Sequence, residues 1–162
     1  MITAKHDWNR LNRLQLGKYA EYFTKMEFVM RGCDVFTCEV DDHGIDFVVR
    51  TQDGKHYDVQ VKPFRLVAGK GTPYVFLQKT KFKIHDSLLL ALVQFINGEP
   101  PILYLLPSRL NGKPNPLFVD RKYEGLKSKA EWGLALSKDI RRRLADEYSF
   151  ETVAEKLEIA RK

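Results

Sequence analysis

Two continuous apolar segments, residues 87–96 and 102–106, constrain the fold of this chain more than any other feature of its sequence. The five residues between them read NGEPP, which is a clear turn signal. Segments that are apolar at nearly every position, rather than at alternate positions, are typical of strands buried on both faces. The longest uninterrupted apolar run covers only residues 88–93, far short of the roughly 20 residues that a membrane-spanning helix requires. We therefore expect a covered central sheet and no membrane partner.

The size of the chain fits one domain over residues 1–162, since 44% of its 162 residues are hydrophobic. Aromatic side chains make up 12%, which is enough bulky surface to exclude a disordered chain. Charged residues interrupt the N-terminus, so it lacks the apolar core of a signal peptide. Cys33 and Cys38 lie five apart in one predicted strand and would point to opposite faces, which disfavours a disulfide. These features predict a cytoplasmic protein.

The hydrophobic periodicity predicts an α/β (α+β) fold. Residues 8–30 carry apolar side chains every three or four positions, which predicts a long amphipathic first helix that ends before Gly32. Strand-like runs follow at 34–40, 45–51, 55–62, 74–77, 117–120 and 132–136, besides the two apolar segments. Ser137 and Ser149 are suited to cap two closing helices, 138–147 and 150–160. The expected architecture is an N-terminal helix, then a three-stranded antiparallel meander extended into a mixed sheet, flanked by helices and followed by C-terminal helices.

Positive charge is concentrated in residues 61–83, here called the basic strip. The strip holds 6 Lys or Arg residues and no Asp or Glu, whereas residues 1–60 hold 8 basic against 10 acidic and residues 84–162 hold 13 against 11. Its basic residues are Lys62, Arg65, Lys70, Lys79, Lys81 and Lys83, and its aromatic residues are Phe64, Tyr74, Phe76 and Phe82. Lysines interleaved with aromatic rings are typical of surfaces that bind phosphate backbones and stack on bases. The alternative is a solvated basic face above aromatic residues of the core.

The pairing of the second and third strands determines which polar side chains meet. The apolar residues of both strands have odd residue numbers. If both apolar sides pack on one core, the residue numbers of two residues that pair across the strands must therefore add up to an even number. A three-residue loop, 52–54, gives an even sum and places Gly54 in a left-handed bulge, whereas a two-residue loop gives an odd sum. With the even sum Asp46 faces Gln60, and Lys62 is two residues further along the same strand face. We therefore expect Asp46, Gln60 and Lys62 on one patch outside the core, either as a site or as a salt-bridged solvent face.

Three segments resemble the motifs of the PD-(D/E)XK nuclease superfamily. GKYAE at 17–21 on the first helix resembles its G-x-x-x-E segment, GIDFVV at 44–49 resembles its G-I-D strand, and VQVK at 59–62 resembles the Q-x-K variant of its (D/E)-x-K motif. The order helix, strand, strand, strand matches the core of that superfamily, in which a further helix and strand complete a mixed sheet. The resemblance implies a restriction-endonuclease-like or Holliday-junction-resolvase-like core over about residues 8–106, with 107–162 as an unassigned C-terminal extension.

The resemblance also implies metal-dependent hydrolysis of DNA phosphodiester bonds. In this reading Asp46 binds Mg²⁺, or Mn²⁺ in its place, and Gln60 offers a neutral oxygen with the Val61 carbonyl beside it. Lys62 orients or deprotonates the attacking water and offsets charge on the phosphate. Glu21 acts as an outer ligand or holds metal-bound water. Duplex or branched DNA is the implied partner, contacted by the rest of the basic strip, namely Arg65, Lys70, Lys79, Lys81 and Lys83.

Gln60 stands where a carboxylate is commoner, so two other functions stay open. One is a non-catalytic nucleic-acid-binding module derived from the nuclease fold, and the other is a protein-interaction domain. Asp41, Asp42 and Asp58 are nearby acids that can contribute to a site or be solvated. The apolar edge at 102–106 is a candidate surface for a homodimer, and the basic run 141–143 is a candidate second DNA contact or a solvated face.

Overall fold

The computed structural model of the protein describes residues 5–40 and 43–159. Its helices are a 3₁₀ turn at Trp8–Arg10, α1 at Arg13–Met30, α2 at Lys138–Glu147 and α3 at Phe150–Lys156. Its strands are β1 Asp34–Phe36, β2 Phe47–Arg50, β3 His56–Leu66, β4 Tyr74–Gln78, β5 Leu88–Ile96, β6 Ile102–Pro107, β7 Arg109–Leu110, β8 Lys113–Pro114, β9 Val119–Arg121 and β10 Glu131–Ala135. None of the described helices has the length and apolar character needed to cross a bilayer.

The main sheet has five strands in the order β1-β2-β3-β5-β6. Strands β1, β2 and β3 form the predicted antiparallel meander, β3 and β5 run parallel, and β5 and β6 are antiparallel, so the sheet is mixed. Every β5 residue from Leu88 to Phe95 is buried, which confirms that this segment is covered on both faces. The expected α+β architecture is therefore observed.

Helix α1 and a second sheet both contribute side chains to the core around the main sheet. One face of the main sheet carries the odd-numbered side chains of its strands, and α1 packs on this face through Phe28 on Phe47 and through Tyr19 on Phe95. The even-numbered side carries the other buried β5 side chains. A second, three-stranded sheet of order β4-β10-β9 contributes buried residues such as Leu77 and Leu134 to the same hydrophobic core. The superfamily resemblance implied a helix between β3 and the next main-sheet strand, but residues 67–87, all of them described, contain β4 and turns instead.

The first helix differs from its predicted form. It begins at Arg13 after a capping box in which Asn12 accepts from the Gln15 N–H at 2.9 Å and the Gln15 side chain accepts from the Asn12 N–H at 2.9 Å. Its buried row is Leu16, Ala20, Thr24 and Phe28. Several members of the predicted apolar stripe are exposed instead, including Leu14, Tyr22, Met26 and Met30. Small side chains at 20 and 24 let the helix approach the sheet closely, so side-chain size determines the buried face more than hydrophobicity does.

Some element ends also differ from the predictions. The strand expected at 34–40 ends at Phe36, and the last helix ends at Lys156, while the predicted bounds of α2 are confirmed. Ser137 and Ser149 cap α2 and α3 by accepting from the N–H groups of Ile140 and Thr152, as predicted. Cys33 is buried and Cys38 is exposed, and both thiols are free.

The free edge of β6 was the predicted homodimer surface. It is partly covered within the chain, because the Leu105 N–H donates to the Tyr148 carbonyl at 2.9 Å and Tyr104 forms a bridge with Ser149. The edge that includes 102–106 therefore offers less open backbone than the sequence indicates, and a homodimer stays a prediction.

Candidate functional site

The β2–β3 hairpin has the predicted register. Phe47 pairs with Val59 and Val49 with Tyr57, which gives the even sum, and the Thr51 N–H donates to the Lys55 carbonyl at 2.9 Å across the three-residue loop. Gly54 occupies the left-handed region with φ of 85°. The loop geometry thus brings the segment before β2 alongside residues 60–62 of β3.

Asp46 lies immediately before β2 and is bound to β3 through both its backbone and its side chain. Its N–H donates to the Val59 carbonyl at 2.9 Å, and its carboxylate accepts from the Val61 N–H at 2.6 Å. The side-chain oxygen thus takes the place of a backbone acceptor beside β3. This charge-assisted hydrogen bond fixes the carboxylate next to the backbone between Gln60 and Lys62.

Gln60 is more buried than the sequence predicts. Only 8% of the residue is exposed, and its Oε1 atom accepts no hydrogen bond from any described residue. The expectation of an open patch outside the core is wrong at this position, because the Gln60 side chain is buried. A buried amide oxygen without a donor costs about 1–3 kcal/mol, so its presence points to a ligand from outside the protein chain.

Gly44 allows the turn after β4 to approach the hairpin. Its φ is 77°, and a Cβ there would lie 2.8 Å from the Lys81 Cβ and 3.4 Å from the Gln60 Nε2. A side chain at position 44 would therefore collide with Lys81. The G-I-D segment, the Gln60 amide and one basic residue of the strip meet at this glycine.

Lys62 is half-buried and forms no ion pair with a residue that the structure describes. It follows Gln60 by two residues on β3, so the two side chains leave the strand on the same side. Its ammonium group is thus available near the polar patch.

Glu21 lies on α1 with 21% of its side chain exposed, and Lys18 donates to it at 2.5 Å. The hydrogen bond to Glu21 raises the pKa of the Lys18 ammonium, and the charge of Asp46 adds a smaller contribution in the same direction. Asp46 is therefore within electrostatic range of α1. Lys18 was not predicted as a site residue, because a lysine three residues from a glutamate on a helix is usually an ordinary surface pair.

The basic strip divides into engaged and accessible residues. Arg65 donates to the carbonyls of Trp8 and Leu11, each at 2.6 Å, and thereby fastens the N-terminal segment to β3. Lys79 lies 4.2 Å from the centre of the Trp132 ring and pairs with Asp120 at 2.5 Å. The accessible basic residues are Lys70 in the loop after β3 and Lys81 and Lys83 in the turn before β5. Of the strip's aromatic residues, Phe64 and Phe82 belong to the core, whereas Tyr74 is half-buried and Phe76 is exposed.

A cavity of about 200 Å³ opens beside Lys81. Its wall includes His43, Lys81, Lys83 and His85, none of which is acidic. His85 is held in place because its Nε2 lies 3.3 Å from an Asp58 oxygen and its Nδ1 accepts from the Ser87 N–H at 3.2 Å. Asp58 is thus engaged with a histidine, and Asp41 and Asp42 lie outside the described residues. Sequence reasoning missed both histidines, because only folding brings residues 43 and 85 together.

The donor set around Asp46 is unusual for a metal site. Among the described residues no three His, Cys, Asp or Glu side chains converge in a way that can hold a metal ion. The oxygens that do gather at β3 come from one carboxylate and one buried amide. Oxygen donors of this kind suit a hard divalent cation better than a soft one.

Comparisons with known proteins include a likeness to a solved structure. No protein-family model matches the sequence, and no curated protein matches it. The structure of a bacterial homing endonuclease, I-Ssp6803I, is similar with a TM-score of 0.53 and 17% sequence identity, over 90% of this chain and 93% of the other. The similarity extends over nearly the whole of both chains, including the residues after 107 that the sequence left unassigned. This chain therefore shares its fold with a bacterial homing endonuclease.

Proposed function

We propose that this protein is a metal-dependent endonuclease that hydrolyses DNA phosphodiester bonds. One observation carries the proposal: the Asp46 carboxylate is fixed on the Val61 N–H at 2.6 Å, beside a buried Gln60 oxygen that accepts no hydrogen bond from the described chain. The fold shared with a homing endonuclease supports the same class of activity. The PD-(D/E)XK assignment remains part of this proposal.

The donor set fits a divalent cation, because the unpaired Gln60 oxygen is the kind of group that such an ion would satisfy. Asp46 and Gln60 would hold Mg²⁺ or Mn²⁺, and Glu21 would act from α1. Such an ion supplies Lewis-acid activation of water and of the phosphate. Lys62 would orient the attacking water and offset the negative charge that builds up on the phosphate oxygens. Lys18 would hold Glu21 in position through their ion pair.

A cleavage assay with matched variants tests the proposal. Supercoiled, linear and branched DNA are incubated with Mg²⁺, Mn²⁺ or EDTA, and products are separated on gels. Asp46→Asn retains an oxygen that can accept from Val61, so it should fold normally while losing about 100-fold or more in cleavage rate. Lys62→Ala should lose activity to a similar degree. Asp53→Asn in the hairpin loop and Lys138→Ala on α2 are the controls and should cleave like the wild type. Equal cleavage by Asp46→Asn and the wild type would refute the proposal.

A non-catalytic DNA-binding module is the second candidate, and the small number of acids at the site favours it. This function predicts DNA binding in EDTA, no cleavage with any metal, and no effect of Asp46→Asn. Binding should weaken as the salt concentration rises. The double variant Lys81→Glu, Lys83→Glu should reduce the slope of log affinity against log salt concentration by about 0.9 for each phosphate that the protein no longer neutralises. Lys79→Glu should instead lower stability, since Lys79 is paired with Asp120. A protein-interaction domain would show no salt-dependent DNA affinity.

A further inference from the structure

The second sheet has one buried face and one face open to solvent. Strand β4 turns Val75 and Leu77 inward, and its other side chains, Tyr74, Phe76 and Gln78, lie on the outer face. The register places Gln78, Glu131 and Arg121 in one row across the three strands. The next row contains Phe76, Gly133 and Val119, and both Phe76 and Val119 are 52% exposed. A polar row thus lies beside an exposed apolar row.

Arg121 is held in position on this face. Its Nε donates to the Tyr74 hydroxyl at 2.6 Å, and its guanidinium lies 5.3 Å from the centre of the Tyr74 ring. The two terminal nitrogens make no hydrogen bond with a described residue. A guanidinium fixed through Nε presents these nitrogens as a ready pair of donors, with little side-chain entropy left to lose on binding.

Gly133 makes this arrangement possible. A methyl group at position 133 would overlap the Tyr74 hydroxyl and come within 3.1 Å of the Arg121 Nε. Glycine weakens the middle of a strand, and it is found where another group must approach the backbone closely. Here the approaching group is the Tyr74 side chain that holds Arg121.

The acid in the polar row is also positioned. The Tyr123 hydroxyl donates to Glu131 at 2.6 Å. Because its neighbours hold Glu131 and Arg121, two of the three side chains in the row are constrained before any ligand binds. The row therefore offers an amide, a carboxylate and a guanidinium in a fixed order across the sheet.

These groups match the edges of DNA bases in the major groove. Arginine pairs with guanine, glutamine with adenine and glutamate with the cytosine amino group, while apolar side chains contact the thymine methyl. The axes of the two outer strands lie about 10 Å apart, and the major groove is about 12 Å wide. The segment 121–129 carries four basic residues and one acidic residue, so it can contact the flanking phosphates.

The polar row also lies close to the candidate cleavage site. Gln78 begins the turn in which the Lys81 N–H donates to the Gln78 carbonyl at 3.0 Å, and Lys81 is the residue that meets Gly44. One β-turn therefore separates the row from the hairpin that carries Asp46. We propose that the outer face of β4, β10 and β9 reads base edges in the major groove of duplex DNA, with Arg121 as the principal contact. This inference rests on the proposed action on DNA.

Selection from a pool of randomised duplex DNA in EDTA tests the inference, because it measures recognition without cleavage. The sequences retained by the wild type are compared with those retained by Arg121→Ala, Arg121→Lys and Gly133→Ala. The control is Arg142→Ala, which removes a guanidinium from the exposed surface of α2. Circular dichroism and thermal unfolding confirm that each variant is folded, and sedimentation measures its oligomeric state.

We expect the wild type to enrich a motif that contains a guanine. Arg121→Lys retains the charge but not the planar pair of donors, so it should bind a scrambled duplex within about twofold of the wild type and bind the enriched duplex about 5- to 150-fold more weakly. Gly133→Ala should weaken the same guanine preference by displacing Tyr74 and Arg121. Arg142→Ala should retain the motif and the affinity.

Three outcomes would overturn the inference. The first is an unchanged motif and affinity in Arg121→Lys, and the second is DNA binding by the wild type without any sequence preference. The third is a change in self-association of Arg121→Ala with no change in DNA binding, which would make this face an interface between protein chains. If the protein does not cleave DNA but still selects a motif that depends on Arg121, only the proposed catalysis is refuted. If the protein binds no duplex DNA at all, the proposed catalysis and the proposed base recognition are both refuted.

Discussion

Two buried amides in this molecule have opposite surroundings. Asn115 is 1% exposed, donates to the Pro107 carbonyl at 2.9 Å and accepts from the Leu117 N–H at 3.0 Å. Gln60 is similarly buried, but its Oε1 has no donor among the residues that the structure describes. The first amide stabilises the fold, whereas the second lowers stability in the absence of a ligand.

Replacing each amide with an apolar side chain of similar size separates these roles. Gln60→Met should raise the free energy of unfolding by about 1 kcal/mol in EDTA, because it removes a buried oxygen without a partner. Asn115→Leu should lower it by about 2 kcal/mol, because it leaves a backbone carbonyl and an N–H unpaired. Urea denaturation measures both changes. A loss of stability in Gln60→Met as large as that in Asn115→Leu would show that the Gln60 oxygen is satisfied within the chain.

At the scale of the element, the β2–β3 hairpin determines where the candidate site forms. Its loop is closed by the Thr51–Lys55 hydrogen bond at 2.9 Å and by the Gly54 N–H, which donates to the Thr51 carbonyl at 3.0 Å. A shift of one residue in this register would turn every side chain of one strand to the other face. The loop thus controls whether Asp46 meets Val61.

Gly54→Ala should lower the free energy of unfolding by about 1–2 kcal/mol, because φ of 85° is strained for a residue with a Cβ. Gly54→Asn should cost less, since asparagine tolerates the left-handed region better. Gln52→Ala, in the same exposed loop, is the control and should stay within about 0.5 kcal/mol of the wild type. Urea midpoints measure the series, and an equal effect at 52 and 54 would contradict the role of the glycine.

The C-terminal helices show how much local sequence determines an element. Both were predicted from their serine caps, and both caps form as expected. The three arginines 141–143 of α2 are engaged locally: Arg141 donates to the Leu136 carbonyl, Arg142 lies 3.6 Å from Asp139, and Arg143 pairs with Glu147. These contacts favour the solvated-face interpretation of this run over a second DNA contact.

At the scale of the whole molecule, three buried tyrosines make the free energy of unfolding depend on pH. Burial raises the pKa of the hydroxyl groups of Tyr57, Tyr104 and Tyr148 above the usual value of 10.0. Above that value the unfolded chain releases protons that the folded chain still holds. The stabilising contribution is therefore complete below pH 10 and is lost as the pH rises through the folded-state pKa values.

We expect the free energy of unfolding to fall between about pH 10 and 12, with ionisation of the buried tyrosines contributing to the fall. Tyr104→Phe should make the fall less steep because it removes one of the three buried groups. Tyr22→Phe, which changes an exposed tyrosine, should leave the slope unchanged. Urea unfolding at a series of pH values measures the slope, and identical slopes in Tyr104→Phe and the wild type would contradict this explanation.

The sequence by itself determined the features that depend on neighbouring residues. Continuous hydrophobicity identified β5, and two serines identified the helix starts. The odd numbering of the apolar residues, together with the length of the loop, identified the hairpin register. Each of these signals lies within a few residues of the structure that it predicts, because strand alternation, turn geometry and capping are local properties.

Only the tertiary structure decided which residues are buried and which are engaged. The buried face of α1, the burial of Gln60 and the use of Arg65 and Lys79 in internal contacts all depend on residues distant in the sequence. Arg121 and Tyr74 are separated by 47 positions, yet they form one unit on the second sheet. Such pairs leave no periodic trace in the sequence, because pairing of strands that are distant in the sequence brings them together across one sheet.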